Sequence, residues 1–541
     1  MTPLAPGEER KAGKHAWYAL TILVVVYTVS FIDRQILSIL AEVIKADLKL
    51  NDAQLGFLYG TAFAIFYALF GIPLGRLADT WHRPWLIAMG LVAWSAMTGF
   101  SGFAATFAVL AAARVGVGVG EASTSPAAYS LIAEFFPDKQ RSTALSIYAS
   151  GLYIGLGLSL PIGSFIMAAW TNHFPDPETA PFGLSAWRAT FIAVGLPGLL
   201  MALVVLTIRE PRQEAARKNT RRAWAEFGLE LAAILPPLTL ISTARLPGAL
   251  KYNLMALAGV VCVAGILSLS VGDAPQWIAS AVGFYAVFSW VQSLSHRDAA
   301  TYRLLWATPV TIMLVIAFGS LAFITYSTGF WATPYALRTF YDSPSAPSVL
   351  LNELTAAQEV ASLVGWSSAI ASAFGVIMGG IVADRWRRRD VRGRLFTIAG
   401  SMVLSIPLVA VMFSTANLMT FFLMVPLATF VSSSWTGAAV ATIQDLVLPR
   451  MRATAGATFL LGITLVGLAL GPYVAGKVGT ISGSLRTGIF SLYIIAPFTL
   501  AALWHASRRL GYLESTRAER AGEDLTGQSV IKPSLVLQTD T

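Results

Sequence analysis

Between residues 17 and 508 the sequence keeps returning to apolar runs of about twenty residues, broken by short links rich in Lys and Arg. A run of that length crosses the hydrocarbon of a bilayer as a helix. In hydrocarbon, every backbone N–H and C=O must find its partner within the segment, so such a chain folds as a bundle of helices. Charged residues make up 12% of the chain and hydrophobic residues 55%. Soluble domains carry about 25% charged residues, so the composition indicates an integral membrane protein.

The spans fall near residues 17–45, 53–78, 84–104, 106–134, 142–170 and 187–208. A second set lies near 306–339, 356–384, 395–413, 417–446, 452–478 and 486–508. This divides the chain into an N-tail (1–16), an N-terminal six-helix bundle (17–208), an insert (209–303), a C-terminal six-helix bundle (304–508) and a tail (509–541). The insert opens with Arg209, Arg212, Arg217, Lys218, Arg221 and Arg222 and closes with Arg297 and Arg303. Basic flanks mark the cytoplasmic side, so the insert holds an even number of spans. Two fit, near 253–271 and 275–295, which gives fourteen spans with both termini cytoplasmic. Twelve spans, with the insert lying on the membrane, is the alternative. Trp224–Ile241, with Glu226, Glu230 and Pro236-Pro237, is expected to be an interfacial amphipathic helix. The polar tail after Leu513 is expected to be disordered. The net charge of +9 follows the topology and does not argue for nucleic acid. The single cysteine, Cys262, excludes a disulfide framework.

The two sets of spans repeat each other. Ala78, Asp79, Trp81 and Arg83 align with Ala383, Asp384, Trp386 and Arg388 at an offset of 305. Glu134, Arg141, Thr143, Gly151 and Pro161 align with Asp445, Arg452, Thr454, Gly462 and Pro472 at an offset of 311. Constant offsets across several helices indicate a duplicated six-helix unit.

Four charges lie inside apolar runs: Asp33 and Arg34 in the first span, Arg114 and Glu121 in the fourth. Each costs several kcal/mol in hydrocarbon unless it faces a cavity or a partner. Neighbours on a helix point about 100° apart, so Asp33 and Arg34 address different surroundings. Arg114 and Glu121, seven residues apart, share one stripe about 10 Å long. A carboxylate whose cation partner changes with conformation couples proton binding to a switch. Arginine suits a phosphate head group because its fork matches the oxygens. The alternative is a static buried network that fixes helix packing. Gly471–Val478 nearly matches a phosphate loop, but it lacks the final Ser or Thr and follows no strand. The five histidines have no metal-ligand spacing, so no metal and no cofactor are expected.

The duplicated halves resemble the major facilitator fold. Gly75-Arg-Leu-Ala-Asp79-Thr-Trp-His-Arg83 is similar to that superfamily's loop motif, departing from it at Thr80 and His82, and Gly380-Ile-Val-Ala-Asp384-Arg385-Trp-Arg-Arg388 is a fuller second copy. The resemblance assigns a gating role to Gly75, Asp79, Arg83, Gly380, Asp384, Arg385 and Arg388. Arg114-Val-Gly-Val-Gly-Val-Gly120, Gly155–Gly163 and Gly467–Pro472 resemble its packing motifs. Phe31-Ile-Asp33-Arg34, Gly118-Val-Gly-Glu121-Ala-Ser123, Phe323-Ile-Thr325, Trp331-Ala-Thr-Pro334 and Arg209-Glu-Pro211 resemble the spinster branch, whose animal members export lysolipids and sphingosine-1-phosphate-type lipids. The extra pair of spans is not part of that branch's usual pattern. The resemblance implies a secondary transporter, not an enzyme, moving a lysophospholipid- or sphingolipid-like lipid by alternating access with proton coupling. Asp33 and Glu121 are the expected proton carriers. Arg34, Arg114, Glu121, Ser123, Tyr148, Tyr153, Tyr326 and Trp331 are the expected substrate contacts. The expected setting is a monomer among membrane lipids in the plasma membrane, or the inner membrane of a bacterium. Because organic-anion symporters also carry an Asp-Arg in the first helix, that activity is the alternative.

Overall fold

A computed structural model describes residues 13–211, 220–341 and 355–522 of the chain. These residues are helical throughout, with no strand among them, and fourteen helices are long and apolar enough to span a membrane. The first six are α1 (Lys14–Asp47), α2 (Asp52–Thr80), α3 (Arg83–Ser101), α4 (Phe107–Phe135), α5 (Asp138–His173) and α6 (Ala186–Val205). Two helices of the insert, α7 (Thr220–Ile234) and α8 (Leu238–Ala244), precede two spans, α9 (Ala249–Ser270) and α10 (Ala274–Arg297). A short α11 (Ala299–Leu305) leads into α12 (Pro309–Phe340), α13 (Ala356–Arg387), α14 (Gly393–Ser414), α15 (Leu418–Asp445), α16 (Thr454–Ser482) and α17 (Leu485–Ser515), followed by α18 (Arg517–Ala521).

Local signals restart the chain after each short link. Asn51 caps α2 in a box with Gln54, and Thr355 caps α13 in a box with Gln358. In each case two N–H groups that the helix leaves open are satisfied. An even number of spans puts the start of α1 and the end of α17 on one face, called here the termini face; the other is the distal face.

The repeat is visible in the packing. Gly151 of α5 lies against α1, where a Cβ would come 2.8 Å from the Val24 carbonyl oxygen. Its counterpart at offset 311, Gly462 of α16, lies against α12, where a Cβ would come 2.9 Å from the Val315 carbonyl oxygen. In both halves, then, a glycine lets the fifth helix press on the first.

The insert contributes its two spans as a hairpin. α10 fills the seam between the halves: Gly283 faces Ile65 of α2 and Leu465 of α16, and Gln276 accepts a hydrogen bond from Thr61 at 2.6 Å. The helix expected over Trp224–Ile241 is instead two, α7 and α8, bent by 99°. The break falls at Pro236-Pro237, since neither proline supplies an N–H and both rings clash with a continuing helix. α7 lies on α2 through Trp224 and Trp81, 5.3 Å apart, and through Glu226, 3.5 Å from Arg76. Arg212, Arg217 and Lys218 lie outside the described residues.

The tail is ordered further than its composition suggests. Glu514 pairs with Arg387 at 3.0 Å, Arg517 donates to the Asp445 carbonyl at 2.7 Å, and Ala521 is buried. Specific charge pairs and one small apolar side chain dock this segment. Residues 523–541 lie outside the described residues.

Candidate functional site

Asp33 and Arg34 lie at the middle of α1, buried, and diverge as adjacent helix positions must. Asp33 turns toward α3, where its Oδ2 accepts from Thr98 Oγ1 at 3.2 Å. Its Oδ1 is buried without a hydrogen-bond partner. Arg34 turns toward α4 and forms an ion pair with Glu121 through Nη2 and Oε1. Its guanidinium lies 4.5 Å from the ring centres of both Phe31 and Phe63 and 5.2 Å from that of Tyr67. Cations favour aromatic faces, more so where water is excluded.

Arg114 is fully buried and forms no ion pair among the described residues. It reaches the Asp33 carbonyl at 3.5 Å and the Phe63 ring at 5.7 Å. Its Nε and Nη2, with Glu121 Oε2 and Arg34 Nε, have no hydrogen-bond partners. The four charges thus form one tight pair, Arg34 with Glu121, while Asp33 and Arg114 make no direct ion pair among the described residues. Buried charges normally fill their valences. Several unfilled positions converge here, a constellation that an exchanging proton and an anionic ligand would complete.

The other expected contacts divide. Tyr148 is buried, stacked on Tyr27 at 4.5 Å, and its hydroxyl has no partner. Tyr153 of α5 and Tyr326 of α12 are half-buried, one in each half of the molecule. Ser123 and Trp331 are placed otherwise. The Ser123 hydroxyl donates to the Gly120 carbonyl at 2.9 Å, in the tight seam of α4 with Gly90 of α3. Trp331 is fully buried and donates to the Pro472 carbonyl at 3.0 Å, which locks α12 to α16. Both side chains serve helix packing in this conformation.

The loop motifs are also sorted. Arg83 binds Glu210, at the start of the insert, through an ion pair, and Glu134 at 2.9 Å and Ser130 at 2.9 Å within the N-terminal half. In the second half the equivalent role belongs to Arg394, which the sequence comparison missed. It pairs with Asp445 and with Asp384 at 2.9 Å. Arg394 stands 311 positions after Arg83, as Asp445 does after Glu134. Arg388, aligned at offset 305, is exposed and so is Arg385; Arg387 pairs with Glu514 and with Asp445 at 3.1 Å. The second loop is six residues longer, so the register changes between its Asp and its Arg. Glycine is likewise shifted: a Cβ on Gly380 meets open space, whereas one on Gly379 would lie 2.0 Å from the Ser434 carbonyl oxygen. Gly75 has only ordinary contact with Pro126, at 3.7 Å.

A second unanticipated cluster closes the distal face. Arg338, in the last turn of α12, donates to both oxygens of Glu42 at 2.9 and 2.7 Å and both of Asp52 at 2.7 and 2.8 Å. Lys45 adds a bond to Asp52 at 2.6 Å. Among the described residues these are the only ion pairs that join the two halves directly. Below them Ser38 donates to the Phe330 carbonyl at 2.8 Å, and Tyr59 stacks on Phe330. The distal half of the seam is therefore shut, while Arg83, Arg387 and Arg394 at the termini face bind within their own halves or to the insert and tail.

Comparison with known proteins fits this architecture. An efflux pump of Mycolicibacterium smegmatis is 26% identical over 478 residues, covering 88% of this chain and 87% of the pump. The spinster protein of Drosophila melanogaster is 27% identical over 208 residues, 38% of this chain and 32% of the fly protein. A crystal structure of a bacterial homologue of the human lysosomal transporter Spinster, inward-facing and unoccupied, superposes with a TM-score of 0.62 at 24% identity, covering 94% of this chain and 96% of that one. The family model of the Major Facilitator Superfamily matches residues 23–343, more than half of the chain. With the duplicated halves and the inter-half seam, the chain belongs to the major facilitator superfamily of transporters.

Proposed function

We propose that this transporter moves an amphipathic lipid of the lysophospholipid or sphingolipid type by alternating access, with proton exchange at Asp33. The observation that carries the reading is the unequal state of the four buried charges. Asp33 exchanges its proton without breaking an ion pair, whereas Glu121 must first release Arg34. Arg114, with two nitrogens open, is the group best disposed to take an anionic head group. The aromatic surroundings of Arg34, and Tyr153 and Tyr326 from opposite halves, give an apolar tail surfaces to lie on. With the termini face cytoplasmic, as the basic links favour, the closed distal seam makes this the inward-facing arrangement. The protein then acts as a monomer of the plasma membrane or bacterial inner membrane.

The test is uptake by proteoliposomes of a panel of lysolipids and short organic anions, with and without a pH gradient. Lysolipid uptake that depends on the gradient and is lost in Asp33→Asn is the expected result. Replacing Arg114 by Ala should cost more than replacing it by Lys, because Lys keeps the charge but loses the fork. If short anions without a tail compete as well as lysolipids, the chain is an organic-anion symporter instead. If transport of either is indifferent to pH and intact in Asp33→Asn, the proton role of Asp33 is wrong.

A further inference from the structure

Away from the central charges, a groove of about 430 Å³ runs along the outside of the molecule between α12 and α17. Pro309, Ile312, Met313 and Ile316 form one wall and Phe498 and Ala502 part of the other. It faces the bilayer: Ile316 is half-exposed and Phe498 is 72% exposed, on a helix whose neighbours Ile494 and Trp504 are also bare. The groove's two hydroxyls offer a ligand little, because Ser320 and Thr499 donate to the carbonyls of Ile316 and Ile495 in their own helices. Only an apolar occupant suits these walls.

Its length and its end identify that occupant. From Pro309 to Ser320 the α12 wall rises about 16 Å, half of a hydrocarbon core about 30 Å thick. The groove is therefore one leaflet deep, on the termini side. At about 30 Å³ per group, the share a water molecule takes in the liquid, its volume accommodates a single acyl chain. At the termini-face end stands Arg520 of α18. It donates to Thr308 Oγ1 at 3.0 Å and to the Leu513 carbonyl at 2.8 Å, joining the start of α12 to the end of α17 at the groove's mouth. It pairs with no carboxylate among the described residues, and its Nε is buried without a partner. Burial holds its guanidinium below the usual arginine value, so an anion beside it would be welcome. Thr308 does not cap α12: its hydroxyl donates to the Arg303 carbonyl, so the positive end of this 32-residue helix has no side-chain cap. Arg508 and Arg509 lie exposed nearby on α17.

We propose that this groove holds one acyl chain of a resident anionic phospholipid from the termini-side leaflet, with its phosphate on Arg520 and the start of α12. The site is separate from the central charges and does not depend on what the transporter carries. The test uses the full chain in mild detergent, equilibrated with phosphatidylglycerol or phosphatidylcholine of the same chain length. Bound lipid is then read by native mass spectrometry. About one phosphatidylglycerol per protein should be retained in preference to phosphatidylcholine. Arg520→Gln should lower that retention about tenfold or more, the worth of a charge-assisted bond, and Arg520→Lys should restore much of it. Ala502→Phe, which fills the groove from its wall without touching Arg520, should lower retention of both lipids. Equal retention of the two lipids, unaffected by Arg520→Gln, overturns the phosphate assignment. Unchanged retention in Ala502→Phe overturns the groove. Displacement of the bound phosphatidylglycerol by a transported lysolipid at low excess would place a substrate there and overturn the resident-lipid assignment.

Discussion

Removing Arg338 should open the distal seam. The guanidinium holds two carboxylates from the opposite half in four hydrogen bonds. A bond to a charged group contributes about 1.5–3 kcal/mol. Arg338 and Glu42 are about a quarter exposed, 25% and 26%, so solvent screens part of this. Taking the lower value once for each carboxylate gives about 3 kcal/mol, roughly a hundredfold in the ratio of closed to open states. Glutamine keeps one donor group and some of the shape, so Arg338→Gln should realise between about tenfold and a hundredfold.

Ser38 is the natural reporter. It is buried, donates across the seam to the Phe330 carbonyl, and lies one turn from Arg34 on the distal side. In a Cys262→Ser background, Ser38→Cys should react slowly with a membrane-impermeant maleimide added from the distal face. Adding Arg338→Gln should speed that reaction at least about tenfold, and the exchange Arg338→Glu with Glu42→Arg should slow it again. A labelling rate within twofold of the parent, with the melting temperature unchanged, would refute the latch. The closure would then rest on helix contact alone, such as Gly56 against Pro472.

Three further outcomes follow from the packing. Glu121→Gln strips the partner from buried Arg34 and should cost about 3–5 kcal/mol, seen as a clear fall in melting temperature in detergent, whereas Asp33→Asn breaks no ion pair and should melt close to the wild type. Arg394→Ala should destabilise the C-terminal half by about 1.5–3 kcal/mol, chiefly through the lost bond to Asp445, which keeps only Arg387, since Asp384 is 60% exposed and screened, while Arg388→Ala, at an exposed site, should stay within about 0.5 kcal/mol; equal effects would restore the original alignment. Gly462→Ala brings a methyl group to 2.6 Å from the Val315 side chain and should cost about 1–3 kcal/mol, measured by thermal unfolding.

What the sequence makes legible here is whatever local periodicity encodes. Apolar runs, basic links and constant offsets are written along the chain, and from them come the fourteen spans and the duplicated halves. The buried quartet is legible for a related reason. A charge inside hydrocarbon is conspicuous, and helix geometry alone separates the directions of Asp33 and Arg34. Pairing across long separations is another matter. Glu42, Asp52 and Arg338 sit at span ends, where charged residues are ordinary. Only the closed seam brings residues 296 positions apart within 2.7 Å. Arg394 was hidden by a six-residue difference in loop length. Alignment by identity stopped at Arg388, which stands as far after Asp384 as Arg83 does after Asp79, although the offset already holding for Glu134 and Asp445 passes through Arg394. The tail misled for the opposite reason. A mixed-charge segment has no apolar face to advertise a docking site, and α18 is held by Arg303, Arg517 and Arg520 donating to carbonyls and a hydroxyl, which no residue pattern announces. Hydrogen bonds to the backbone are blind to side-chain identity at the acceptor. The parts of this transporter that such bonds assemble therefore become visible only once the helices are in place.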